Sequence, residues 1–145
     1  FAILFSDNST GAELKIGAEL IIQYKRKRIG WENDVFEVLE VSWPPGAESS
    51  PHDHATSYGS ILVIRGSIFQ RVYRKKNKKF LFRAVYKVGE VIRETPDIIH
   101  VMGNASQKIP AKTIHVYAPP ITKFCVYDFR QKKFWFERAQ GLKND

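Results

Sequence analysis

The stretch Gly46-Ala-Glu-Ser-Ser-Pro-His52-Asp53-His54-Ala-Thr-Ser-Tyr58-Gly59-Ser-Ile-Leu-Val-Ile-Arg-Gly66 places two imidazoles one residue apart in a segment bounded by glycines. In extended backbone, residues two apart face the same side, so His52 and His54 can present both rings to one point. Asp53 then faces the other way and is excluded as a ligand. His100, on a later strand, is expected to supply a third nitrogen. An imidazole-rich, thiolate-free set suits Fe, Zn, Cu or Ni. A lone histidine on a strand is ordinarily a hydrogen-bonded structural residue. Here all four histidines fall in this pattern, His52 with His54 and then His100 and His115, and that argues against the ordinary reading.

The surroundings read as strands and turns. Residues 35–43 alternate imperfectly and are rich in β-branched and aromatic side chains until Pro44-Pro45-Gly46 stops them. Further strands are expected over 60–65, 67–74, 80–88, 91–93, 98–102, 112–117 and 124–129. Glycines at 46, 66, 89 and 103 and prolines at 96, 110, 119 and 120 punctuate them. This is the pattern of an all-β barrel or sandwich. The helix signal lies at the front, where Thr10-Gly11-Ala12-Glu13 matches a capping box for a short helix that Gly17 cuts off. Lys75-Lys76-Asn77-Lys78-Lys79 reads as a hairpin tip, with Asn at a position that tolerates left-handed backbone.

Length and composition bound the remaining choices. A chain of 145 residues, 43% apolar and 26% charged, makes one domain with a real core. We expect a single domain over 1–145, with 1–23 a poorly defined N-terminal segment. The formal charge of +8 invites a polyanion partner. Yet residues 71–83 and Lys25-Arg26-Lys27-Arg28 carry eleven bases and no acid, so the rest, with twelve bases against 15 acids, is net −3. The excess is local, and a solvated turn that discourages edge pairing explains most of it, so nucleic acid is not the expected partner. No run of about 18 apolar residues predicts a membrane span. Phe1-Ala-Ile-Leu-Phe5 is too short for a signal-peptide core. A single cysteine, Cys125, excludes an internal disulfide and a cysteine-cage metal site and fits a reducing cytoplasm; it reads as a small buried hydrophobe. The sequence does not speak to oligomeric state.

These residues resemble the cupins. The first cupin motif is matched in spacing by Gly46, His52, His54, Gly59 and Gly66, with Gly59 where the motif has a glutamate ligand; the second is matched by Gly89, His100 and Asn104. The resemblance implies a single cupin-type β-barrel, a double-stranded β-helix, with little helix at its N-terminus. Without the glutamate, three neutral imidazoles leave a divalent metal its full charge and several open positions, which favours an anionic ligand such as a thiolate.

That departure narrows the resemblance. Ser49-Ser50-Pro51-His52-Asp53-His54, followed by Thr113-Ile114-His115-Val116-Tyr117-Ala118-Pro119-Pro120, is similar to the cysteine dioxygenase family of thiol dioxygenases. The resemblance covers about residues 24 to 130. It implies Fe(II) held by His52, His54 and His100, and a relay of Thr113, His115 and Tyr117 beside it, with Thr for the family's Ser. It also places Tyr24 and Arg26 on the family's Tyr-x-Arg, whose guanidinium binds the substrate carboxylate, a task suited to its planar fork. Arg28, on the same face, is a rival, and a solvated basic strand end is the ordinary alternative. Tyr58 and Trp43 are further candidates for the pocket wall, although an aromatic on a strand is more often core. Mammalian members carry a cysteine that crosslinks to the relay tyrosine; Gly59 stands there, so Tyr117 is expected to be a free phenol.

The activity implied is addition of both atoms of O₂ to the sulfur of L-cysteine, giving cysteine sulfinate. Three rivals stand beside it: a dioxygenase for another small thiol such as 3-mercaptopropionate, a non-catalytic metal-binding cupin, and a polyanion-binding module using residues 71–83.

Overall fold

A computed structural model of the protein describes residues 14–16, 19–21, 24–29 and 34–138. Within them the chain runs as strands β1 (Leu14–Ile16), β2 (Glu19–Ile21), β3 (Lys25–Arg28), β4 (Glu37–Trp43), β5 (Tyr58–Arg65), β6 (Ser67–Arg74), β7 (Phe80–Lys87), β8 (Val91–Glu94), β9 (Ile98–Asn104), β10 (Ala111–Ala118), β11 (Lys123–Asp128) and β12 (Lys133–Arg138). The all-β expectation holds, and among the described residues no helix forms. The capping box at Thr10-Gly11-Ala12-Glu13 lies outside the described residues. The residues that would carry its helix onward, Leu14–Ile16, instead pair antiparallel with Glu19–Ile21. Four strands were not expected from the sequence: β1, β2 and β12, and β3, because four consecutive cations carry no apolar alternation.

One sheet has the order β3-β4-β10-β5-β8; β7-β6-β9 and the β11-β12 ribbon make up the other side. Apolar residues from both sides, among them Leu39, Val41, Ile61, Ile68, Met102, Phe124 and Val126, form one buried cluster between them. Burying a side chain such as Phe124 contributes about 2–3 kcal/mol. Strand β4 shows how the sequence sets the faces. Glu37, Leu39, Val41 and Trp43 point inward, while Val38, Glu40 and Ser42 are only half-buried. Strand β10 lies between β4 and β5, so Thr113 sits opposite Val41 on one side and Val63 on the other.

The motif glycines serve the backbone. Gly66 turns the chain from β5 into β6 at φ +68°, where a Cβ would come within 2.6 Å of the Pro110 carbonyl. Asn104 ties neighbouring turns together: its amide donates to the carbonyls of Trp43 at 3.0 Å and Ile109 at 2.7 Å, and its Oδ1 accepts from Ser106 N–H. The basic hairpin tip forms between β6 and β7 as expected, but the left-handed residue is Lys78 (φ 59°), while Asn77 caps the turn by accepting from Lys79 N–H.

The His-x-His segment is not part of a regular strand. It crosses between the two sides as a connection held by backbone bonds: His52 N–H to His100 O at 3.0 Å, His100 N–H to His52 O at 2.9 Å, Asp53 N–H to Cys125 O and Tyr127 N–H to Pro51 O. Residue 52 thereby bridges β9 and β11.

Candidate metal centre and its cavity

His52 and His54 come from this connection and His100 from β9. One ring nitrogen from each lies within 4.8 Å of the others, and all three side chains are buried. The outer nitrogens are engaged. His52 Nδ1 lies 2.8 Å from the Ser50 carbonyl. His54 Nδ1 lies 2.8 Å from Glu94 Oε2, and His100 Nδ1 lies 2.9 Å from Glu94 Oε1 and 3.3 Å from Gln70 Oε1. The Ser50 carbonyl at His52, the Gln70 amide oxygen at His100 and the Glu94 charge beside His54 favour the proton on Nδ1 and leave Nε2 as the donor nitrogen. His52 Nε2 and His100 Nε2 then face each other at 3.2 Å. Two lone pairs at that distance repel unless a cation lies between them. Nitrogens bound to one ion at about 2.0–2.1 Å stand about 2.8–3.4 Å apart across octahedral to tetrahedral angles. The donor set therefore fits a borderline divalent metal.

Electrostatics agree with that geometry. Burial, then the neighbouring His100 and His54, push His52 well below the ordinary imidazole range, so its ring is neutral. Burial by itself would raise the Glu94 carboxyl. The His100 and His54 rings on its two oxygens outweigh that and hold it well below the usual carboxylate range.

Beside the histidines lies a cavity of about 30 Å³, lined also by Tyr24, Arg26, Trp43, His115 and Tyr117. This is far below the several hundred Å³ of a drug-sized site and suits a ligand of few atoms. Thr113, His115 and Tyr117 alternate along β10 on its inner face. They form a chain: Trp43 Nε1–H donates to Thr113 Oγ1 at 2.9 Å, Thr113 Oγ1 lies 2.7 Å from His115 Nε2, and His115 Nδ1 lies 2.8 Å from the Tyr117 hydroxyl. Burial pulls His115 down to about 3, despite the opposing Glu94 charge, so it is neutral at physiological pH. Burial also pushes the Tyr117 phenol well above its ordinary value.

Arg26 and Arg28 part company. Both lie on the same side of β3, but Arg26, opposite Val41, is buried in the cavity wall, whereas Arg28 Nη2 is 3.5 Å from the buried Glu37 carboxylate and does not line the cavity. Tyr24 stacks on Trp43 with ring centroids 4.4 Å apart, and both rings line the cavity. Tyr58 is a correction. Its side chain is 62% exposed, because period-two alternation sends it outward with Leu62 and Ile64 while Gly59, Ile61 and Val63 face inward. Asp53 turns away from the imidazoles, accepts from the N–H groups of Ala55 and Cys125 and from the Tyr127 hydroxyl, and pairs with Lys75. Cys125 is buried, and burial pushes its thiol up. In the basic run, Arg71 and Arg83 stack over Phe69, Lys75 reaches Asp53 and Lys78 sits over Tyr127.

Glu94 escaped the sequence reading. The signal was there: in Val91-Ile92-Arg93-Glu94 a carboxylate stands in phase with a core isoleucine, and both are 1% exposed. Gly59 is its cross-strand partner. A Cβ on Gly59 would lie 2.8 Å from Tyr117 Cε1 and 3.1 Å from Glu94 Oε2, so the glycine leaves room for both side chains.

The comparisons with known proteins point one way. The family model described as cysteine dioxygenase type I matches residues 2–130. The cysteine dioxygenase type 1 of Homo sapiens is 27% identical over 115 residues, 74% of this chain and 57% of that protein. That of Bos taurus is 25% identical over 137 residues, 89% of this chain and 68% of that protein. The chain thus spans little more than half the length of the human relative. Among solved structures, the cupin domain of Schizosaccharomyces pombe Cnp3 superposes with TM-score 0.56 at 18% identity, covering 66% of this chain and 64% of that one. An oxalate oxidase superposes with TM-score 0.52 at 17% identity over 58% of this chain and 42% of that one. At such identities the likeness establishes the cupin fold alone.

Proposed function

This chain belongs to the cysteine dioxygenase type I family, and from that premise we propose that it is an iron-dependent thiol dioxygenase, converting L-cysteine and O₂ to cysteine sulfinate. The observation that carries the reading is the meeting, at one small cavity, of three imidazoles with their outer nitrogens engaged and one buried guanidinium. His52, His54 and His100 would hold Fe(II). When bound, the ion supplies the Lewis acidity that lets a thiol ionise at neutral pH and the redox chemistry that brings both oxygen atoms to sulfur.

The chain's own residues orient the substrate. Arg26 would take its carboxylate by a bidentate pair, which fixes the molecule at the end opposite the sulfur. Holding the reactants in register is itself a large part of the acceleration. Tyr24, stacked on Trp43, makes the wall next to that arginine. In this reading the relay runs toward the cavity: Thr113 Oγ1 accepts from Trp43 and donates its own proton to His115 Nε2, and neutral His115, with its proton on Nδ1, donates to the Tyr117 oxygen. The Tyr117 O–H is left to donate into the cavity, toward the substrate. A single thiol and no disulfide fit a reducing compartment, so the reading places the enzyme in the cytoplasm, as one cupin domain.

Measuring O₂ consumption after anaerobic Fe(II) loading tests this reading, with L-cysteine and 3-mercaptopropionate supplied in turn. Uptake with cysteine supports it, and a preference for 3-mercaptopropionate reassigns the substrate, since Arg26 recognises a carboxylate that both thiols carry. Iron retention with no uptake of either would leave a non-catalytic metal-binding cupin.

A further inference from the structure

Among the described residues, Glu94 is the one buried carboxylate in contact with the clustered imidazoles, against His54 and His100, and it comes from the strand next to the one where the cupin motif has its glutamate. The two positions face each other: Gly59 on β5 pairs with Glu94 on β8. The space that a side chain at 59 would enter lies against Glu94 Oε2, at 3.1 Å. The carboxylate therefore lies beside the space that a side chain at 59 would enter, on the outer side of the rings. It reaches the outer nitrogens, with Oε2 2.8 Å from His54 Nδ1 and Oε1 2.9 Å from His100 Nδ1. Both contacts lie off the N–H axis, so Glu94 has no aligned hydrogen bond and acts through its charge. Gln70, oriented by the Tyr86 hydroxyl at 3.0 Å, offers the aligned acceptor at His100 Nδ1.

We infer that Glu94 is a positioning residue of the metal centre: its carboxylate spans His54 and His100, holds both rings with Nε2 turned inward, and returns behind the ligands the charge lost at Gly59. The inference rests on the metal-binding reading above. A glutamate at position 59 would fill a coordination position. The same charge behind the rings leaves that position open for substrate while strengthening both imidazoles as donors. It also favours the higher oxidation state of a bound ion, because the added positive charge is partly compensated.

The test uses the full chain and Co(II) and Fe(II) as probes. In Glu94→Gln, Co(II) affinity measured by chelator competition is expected to fall about ten- to hundredfold, and the midpoint potential of the iron-loaded protein is expected to rise. A side chain that only filled space would move neither. Glu94→Asp keeps the charge on a stem too short to reach both rings and is expected to lie between wild type and Glu94→Gln; if the glutamine variant does not fold, this comparison decides. Unchanged affinity and potential in the folded variants would overturn the inference and leave the metal reading intact. Wild type whose Co(II) affinity is insensitive to His100→Ala would overturn both.

Discussion

Lys75 Nζ, from the basic hairpin, lies 2.9 Å from the buried Oδ2 of Asp53, the residue between two of the three clustered histidines. One charge of a run that reads as solvent-facing is thus a strut under the centre. Burial would raise the Asp53 carboxyl, but Lys75 and the N–H groups of Cys125 and Ala55 bring it below its ordinary value. Its contribution to stability is therefore full at neutral pH and lost as pH falls through the depressed value. Asp53→Asn should cost the metal-free protein about 1–3 kcal/mol, measured by urea denaturation at pH 7. Lys75→Met should cost less, under about 1 kcal/mol, because the lysine is over a third exposed and Asp53 keeps its other partners.

His100→Ala removes one of three nitrogens and one end of the Glu94 contact. Iron retained after desalting should fall to background and thiol-dependent O₂ uptake should vanish, while far-UV circular dichroism stays that of a β protein. Metal analysis by atomic emission reads the first effect directly.

Arg26→Ala should raise the KM for cysteine about ten- to hundredfold, the worth of a lost charge-assisted pair. Arg28→Ala should leave KM near wild type and lower stability, since it strips the buried Glu37 of its cation. Steady-state kinetics and melting curves on both variants separate the roles; the reverse pattern would reassign the carboxylate site to Arg28.

His115 sits at about 3 when folded against an ordinary 6.5. Between those values the unfolded chain binds a proton that the folded one does not, so stability rises with pH across the window and is lost as pH falls from 6.5 toward 3. The slope from this group is about 1.4 kcal/mol per pH unit. Denaturation of the metal-free protein at pH 4.5 and 6 should show a shallower dependence in His115→Gln, by about one proton.

Gly59→Ala should cost about 1–3 kcal/mol, because the new methyl meets the edge of the Tyr117 ring at 2.8 Å and Glu94 stands behind it. Displacing the phenol should lower kcat more than it raises KM. Ser60→Ala, on the half-buried outer face of the same strand, is the control and should change neither.

Much of this was readable in advance, for stated reasons. Period-two alternation gave β4 and β10 their inner faces and put Thr113, His115 and Tyr117 side by side. The same rule, applied in phase with Ile61, would have sent Tyr58 outward, and applied to Ile92 it would have flagged Glu94 as buried. Composition hid the rest. Lys25–Arg28 carries no apolar residue, so nothing in it betrays a strand; its pairing with Ser42, Val41, Glu40 and Leu39 supplies what the sequence lacks. His52 and His54 converge, but through a bridged connection rather than a strand, and that depends on backbone bonds to His100 and Cys125 that no local pattern encodes.

Those backbone bonds have a consequence for how the protein would acquire its metal. Main-chain pairing on both flanks of the connection holds the backbones of His52 and His100 against each other, so an arriving ion has only side chains to draw together. Loading then resembles filling a mould rather than folding around a nucleus. A ready trio of imidazoles follows the general affinity order, in which copper and zinc outrank iron. On the proposed reading, the ion that fills the site then depends on supply as well as on geometry, and growth medium and purification history belong among the experimental variables of any activity measurement.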